Sequence, residues 1–124
     1  MTGEKTMKIH SVLSRVYVRD MEAAIAFYEE FLAEKCGGRF AYAEKHLEIA
    51  RIGPLLIVAG TDEALAPFRG TSVTMRVDSI HEAKGFVLAN GGQVITADVT
   101  RVPTGLNMTA RHADGLLVEY VQFT

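Results

Sequence analysis

Tryptophan is absent from this sequence, cysteine occurs once, and proline only three times. The single thiol, Cys36, cannot form a disulfide within the chain or build a thiolate zinc cage, which excludes a cross-linked secreted scaffold and a zinc finger. At a helix end it reads as a small packing residue, and it fits a reducing compartment. A charge of one sign is also lacking. Thirteen Lys and Arg oppose fifteen Asp and Glu, a formal net charge of -2, so no basic field is on offer to a phosphate backbone and no nucleic-acid partner is expected. No apolar run approaches the roughly 20 residues a helical membrane span needs. Residues 1–6 are short and polar, without the apolar core of a signal peptide. The expectations are a loose N-terminal tail, no membrane association and a cytoplasmic location.

What is present is the composition of a globular protein. With 48% hydrophobic and 23% charged residues over 124 positions, one domain can bury roughly two-thirds of its unfolded surface without staples. Residues 7–18 alternate as a strand, with β-branched Ile9, Val12, Val16 and Val18, and with Ser11, Leu13, Arg15 and Tyr17 on the other face. Asp20 stands where an N-cap belongs. Ala24, Phe27, Tyr28, Phe31 and Leu32 then follow at helical spacing, predicting a helix whose stripe is core, closed by Gly37-Gly38. Strands are expected over 38–44, 47–52 and 55–59, with a turn at Gly53-Pro54, and a linker over 61–70.

From Ser72 the order begins again. A strand runs through Val77, and Ser79 with Glu82 forms a capping box. A helix turns Ala83, Phe86 and Val87 inward, Gly91-Gly92 closes it, and strands are expected over 93–99, 106–112 and 116–122. Val18, Ala24 and Phe27 recur 59 residues later as Val77, Ala83 and Phe86, and Gly53 recurs 62 later as Gly115. The fold expected is therefore α+β, one domain of two tandem β-α-β-β-β units over about 7–60 and 71–124. One helix per unit leaves a sheet face open, so pairing two units predicts curved sheets around a cavity.

The run VYVRDMEAAIAFYEEFL at 16–32, VDSIHEA at 77–83 and GLNMTARHADGLLVEYV at 105–121 together resemble the glyoxalase/bleomycin-resistance/dioxygenase group, the vicinal oxygen chelate superfamily. The resemblance spans nearly the whole chain. It implies paired β-α-β-β-β units, often dimeric, that serve as metal-dependent lyases, isomerases, dioxygenases and epimerases, or as metal-free drug binders. It also implies one metal ligand from the first and one from the last strand of each unit. Those places fall on Leu13 and Ile57 in the first unit and on Ser72 and Glu119 in the second. Only Glu119 is a ligand type, and one carboxylate cannot replace the water shell of a divalent ion, so no metal cofactor is expected. His10, His46, His81 and His112 are expected to be structural or solvent-facing.

Alternation from Leu13 and Glu119 places Arg15, Tyr17, Leu117 and Val121 toward the cavity, and from Ser72 it adds Thr74 and Arg76. Asn107, Thr109 and Arg111 join them, since Leu106, Met108 and Ala110 suit packing against a helix. The candidate ligand-binding set is Leu13, Arg15, Tyr17, Ile57, Ser72, Thr74, Arg76, Asn107, Thr109 and Arg111, with Glu119 as the candidate catalytic group. Three arginines favour a small anionic or polar ligand. Alternatively, some of them pair with Glu119 or Glu48 or face solvent. The expected function is a homodimeric, metal-free small-molecule binder. The alternatives are a lyase, isomerase or dioxygenase-type enzyme using Glu119, with or without a divalent metal, and a regulatory module with a vestigial cavity. Aromatic residues make up only 8% of the chain, which argues against an aromatic drug-binding cavity.

Overall fold

The computed structural model describes residues 7–96 and 98–123. The expected tail over 1–6 and Ala97 of the expected strand over 93–99 lie outside them. Two compact units divide the chain: an N-terminal unit, Leu13–Gly70, and a C-terminal unit, Thr71–Thr124 together with Met1–Val12. Strand β1 (Ile9–Val18) contributes to both.

In the N-terminal unit β1 leads to α1 (Met21–Leu32), β2 (Gly38–Tyr42), β3 (Leu47–Ile52) and β4 (Leu55–Ala59). Strands β2, β3 and β4 form an antiparallel meander, and β4 pairs with β1 in parallel. A parallel pair requires a crossover, and α1 belongs to it. The Asp20 carboxylate accepts a hydrogen bond from the Ala23 amide at 3.0 Å, as an N-cap should. The helix stops earlier than the expected Gly37-Gly38, with Ala33 in the left-handed region at φ 54°. The Glu29 carboxylate then holds the Cys36 amide at 2.7 Å and fixes the following loop.

Against β3 and β4, α1 lays Met21, Ala24, Ile25, Tyr28 and Leu32 over Ala50, Ile52, Ile57 and Ala59. The expected core positions of Phe27 and Phe31 are overturned: they are 57% and 72% exposed and stack on each other at 5.5 Å. Positions 23–28 are all apolar, an arc too wide for periodicity to say which part meets the sheet, and Met21 and Ile25 take it. The expected linker over 61–70 contains a short helix, α2 (Asp62–Leu65), capped by Thr61 and anchored by the fully buried Leu65 beside Leu47 and Val58.

In the C-terminal unit the order is β5 (Val73–Val77), α3 (Ile80–Ala89), β6 (Gln93–Val94), β7 (Thr100–Val102), β8 (Gly105–Arg111) and β9 (Leu117–Phe123). Strands β5 and β9 are parallel, β9 and β8 antiparallel, and both β6 and β7 pair with β8. The topology of the N-terminal unit is repeated, with one strand in two pieces where a single one over 93–99 was expected. The Ser79 hydroxyl caps α3 at the Glu82 amide, and the Gln122 side chain accepts from the Ile80 amide at 2.8 Å. Ile80, Ala83 and Val87 of α3 pack on Val77, Met108, Ala110, Val118 and Tyr120. Among the described residues no helix is long and apolar enough to cross a membrane.

Candidate functional site

Helix α3 covers one face of the C-terminal sheet, and residues of opposite parity stand on the other. Register makes Thr74 and Thr109 the partners of Glu119 on its two neighbouring strands, and Arg76 and Asn107 the partners of Val121. Partners across a ladder share a face, so Thr74, Arg76, Asn107, Thr109 and Glu119 are brought together away from the helix.

The centre of this face is a fixed polar array. The Thr74 hydroxyl donates to Glu119 Oε1 at 3.0 Å, and Asn107 Nδ2 donates to Oε2 at 2.9 Å. The Thr100 hydroxyl donates to Asn107 Oδ1 at 2.8 Å, which settles the amide orientation and aims its N–H at Glu119. Both carboxylate oxygens are thus held from different strands, and Thr74 is itself buried. At the end of the same face the Arg76 guanidinium lies 4.4 Å from the centre of the Phe123 ring. Arg111 is exposed opposite Leu117, and Ser72 is exposed just before β5, its amide bonded to the Leu117 carbonyl.

Sequence reasoning missed Thr100 and Phe123. Continuing the alternation of β9 two residues past Val121 reaches Phe123, so that signal was present. Thr100 sits in a three-residue strand that carries no pattern of its own.

In the N-terminal unit Leu13, Arg15 and Tyr17 share one face of β1. Arg15 donates to the Tyr17 hydroxyl at 3.0 Å, and that hydroxyl donates to the Phe68 carbonyl. Tyr17 packs, as Tyr42 and Phe68 do, against the buried cluster of Leu47, Val58 and Leu65. Ile57 is a correction. It pairs with Val16, not with Arg15 or Tyr17, and lies fully buried under α1 on the opposite face. The positional counterpart of Glu119 is Leu56: Arg15 partners Leu56 as Thr74 partners Glu119. The offset of 62 measured between the two turns becomes 63 along the strands, and a one-residue slip turns a side chain to the other face.

Leu13, Ser72 and either Leu56 or Ile57 supply no imidazole or carboxylate, and both Glu119 oxygens already accept protein hydrogen bonds. Neither unit's pair of positions fits a divalent ion. Among the described residues no three His, Cys, Asp or Glu side chains gather as a ligand group. His10, His46 and His81 are exposed. The His112 Nε2 instead meets the hydroxyl of Tyr120 at 2.6 Å, beside the core, and burial pushes that phenol above its ordinary value.

No protein-family model and no curated protein matches the sequence. Among solved structures, an uncharacterized protein from Methanosarcina mazei is 44% identical and superposes with a TM-score of 0.87 over 94% of each chain. Methylmalonyl-CoA epimerase from Mycobacterium tuberculosis superposes with a TM-score of 0.70 at 16% identity, over 94% of this chain and 89% of that one. The chain belongs to one family with the Methanosarcina protein, and its fold is that of the vicinal oxygen chelate superfamily. A hypothetical protein from Bacillus halodurans C-125 shares this vicinal-oxygen-chelate fold at 21% identity and a TM-score of 0.70, over 97% of this chain and 96% of that one. At the identities of the epimerase and the Bacillus protein the likeness is one of fold.

Proposed function

We propose that this vicinal-oxygen-chelate protein is a metal-free binder of a small polar or anionic molecule, and that the face centred on Glu119 is where the ligand is read. One observation carries the reading. Thr74 and Asn107, on different strands, hold the two oxygens of one half-buried carboxylate, and Thr100 orients the amide in turn. Polar groups locked by neighbours lose little freedom when a ligand arrives, which is what makes a site selective. A carboxylate so held recognises a hydroxyl or N–H of the ligand. A homodimer without a nucleic-acid partner is part of the proposal, and light scattering tests it.

Thermal shift against a panel of small hydroxylated, amino and anionic metabolites tests the binding reading, with Glu119→Gln as control. The expected result is a set of ligands that raise the wild-type midpoint and lose at least half of that shift in Glu119→Gln. Equal shifts in both proteins would remove Glu119 from the site.

A second reading is an isomerase in which Glu119 takes a proton from carbon. It is favoured by the positioned carboxylate and by the fold shared with methylmalonyl-CoA epimerases. Exchange of a ligand C–H for solvent deuterium in wild type, lost in Glu119→Gln while binding persists, would decide for it.

A further inference from the structure

Arg76 is a cation of the C-terminal unit that the Glu119 array does not use. It is half-buried on the same face as Glu119, two residues along β5 from Thr74. Among the described residues it has neither an ion pair nor a hydrogen-bond acceptor, and its one contact of note is the Phe123 ring at 4.4 Å. A guanidinium carries five N–H donors in a plane, and removing it from water without acceptors is costly. An aromatic ring at this distance covers one side of the guanidinium and restrains the side chain, and it offers the N–H donors along the planar edge no lone-pair acceptor, so they still call for one. An edge of that shape matches the two oxygens of a carboxylate.

We infer that Arg76, braced by Phe123, is the anion-recognising subsite of the Glu119 site, and that the ligand is a short hydroxy- or aminocarboxylate. The inference rests on the Glu119 reading above and adds the chemical class of the ligand. The spacing sets its size. Glu119 lies one strand across from Thr74 and Arg76 two residues along β5, which puts their backbones about 8 Å apart, so a ligand whose hydroxyl or amine reaches Glu119 while its carboxylate reaches Arg76 carries the two groups a few bonds apart. The polarity is fixed as well: the donor end lies at Thr74, Asn107 and Glu119, and the anionic end at Arg76 and Phe123.

The probes are glycolate, lactate, glycerate, malate and serine, each compared with its methyl ester, titrated calorimetrically into wild type, Arg76→Met, Arg76→Lys and Phe123→Leu. Methionine keeps an apolar stem against Phe123 and removes only the charged fork. The expected result is that Arg76→Met loses about 10- to 100-fold in affinity for the acids, the scale of a charge-assisted bidentate contact. The same variant weakens ester binding by only about threefold, since an ester carbonyl accepts at most an uncharged hydrogen bond there. Arg76→Lys recovers part of the loss, and Phe123→Leu weakens the acids about threefold. The ratio of acid to ester affinity is the deciding readout, because a variant that only loosens the fold lowers both. Acids bound equally by wild type and Arg76→Met would overturn this inference while leaving the Glu119 reading intact. No probe bound by wild type at millimolar concentration would overturn this inference, and the Glu119 reading would then rest on the thermal-shift panel alone. Should Arg76→Met fail to fold, an unchanged ratio in Arg76→Lys and Phe123→Leu would overturn the inference.

Discussion

Replacing Ile57 and Leu56 separately by alanine tests the register on which the site comparison depends. Ile57 is 0% exposed beneath α1. Truncation there removes three carbons, about 2.4 kcal/mol of transfer free energy at ~0.8 kcal/mol per methylene. A cavity contribution brings the total to about 3–4 kcal/mol, because Met21, Ala24 and Ile52 around it close the space only partly. Leu56 loses as many carbons from a half-buried place on the opposite face, so its cost is about 1 kcal/mol. Urea denaturation followed by circular dichroism reads both values, and a common m-value shows that the variants unfold alike. In thermal melts the difference is on the order of 10 °C, at ~4 °C per kcal/mol for a chain of this size. Equal costs, or Leu56→Ala costing more, would refute the pairing of Arg15 with Leu56. They would return Ile57 to the face of Arg15 and Tyr17.

Two glycines predict opposite signs. A Cβ on Gly92 would sit 2.5 Å from Val87 Cγ1 and 2.8 Å from the Arg111 carbonyl, so Gly92→Ala forces α3 and β8 apart and costs about 1–3 kcal/mol. Gly85, exposed in the interior of α3 with nothing within 4 Å of its Cβ position, gains about 0.5–1 kcal/mol as alanine; chemical denaturation of the pair that gave the same sign would contradict the geometry. Tyr120 sets an alkaline limit. Burial raises its folded-state pKa, so the folded protein holds this proton more tightly; the associated stability is intact below the unfolded value of about 10 and is lost as pH rises through the folded one. Tyr120→Phe should flatten the decline in stability between pH 9 and 11, after a loss near neutrality of about 1 kcal/mol with the His112 bond; an unaltered alkaline decline would rule Tyr120 out as its cause.

The elements of this protein were legible because their signals are local. Asp20 and Ser79 announce helix starts, since an orphan amide two or three residues on needs an acceptor. The strand-helix-strand order recurs because each unit is one structural motif, at an offset of 59 on the first strand and 63 on the last. Alternation along β8 and β9 assigned Asn107, Thr109 and Glu119 to one face, as period two requires. Three things were settled only by the tertiary structure. The offset between the two last strands came from pairing, and a single residue moved Ile57 into the core and put Leu56 in its place. The rotation of α1 was chosen by which of its apolar side chains fits against Ala50, Ile52 and Ile57, and this left Phe27 and Phe31 outside. The contacts of Glu119 with Thr74 and Asn107, and of Arg76 with Phe123, join residues 45, 12 and 47 positions apart. Sequence by itself determined what most segments become, α2 and the split of β6 from β7 excepted, because propensity and capping act over a few residues. Which side chains meet was decided by strand register and helix rotation, which depend on packing across the whole unit.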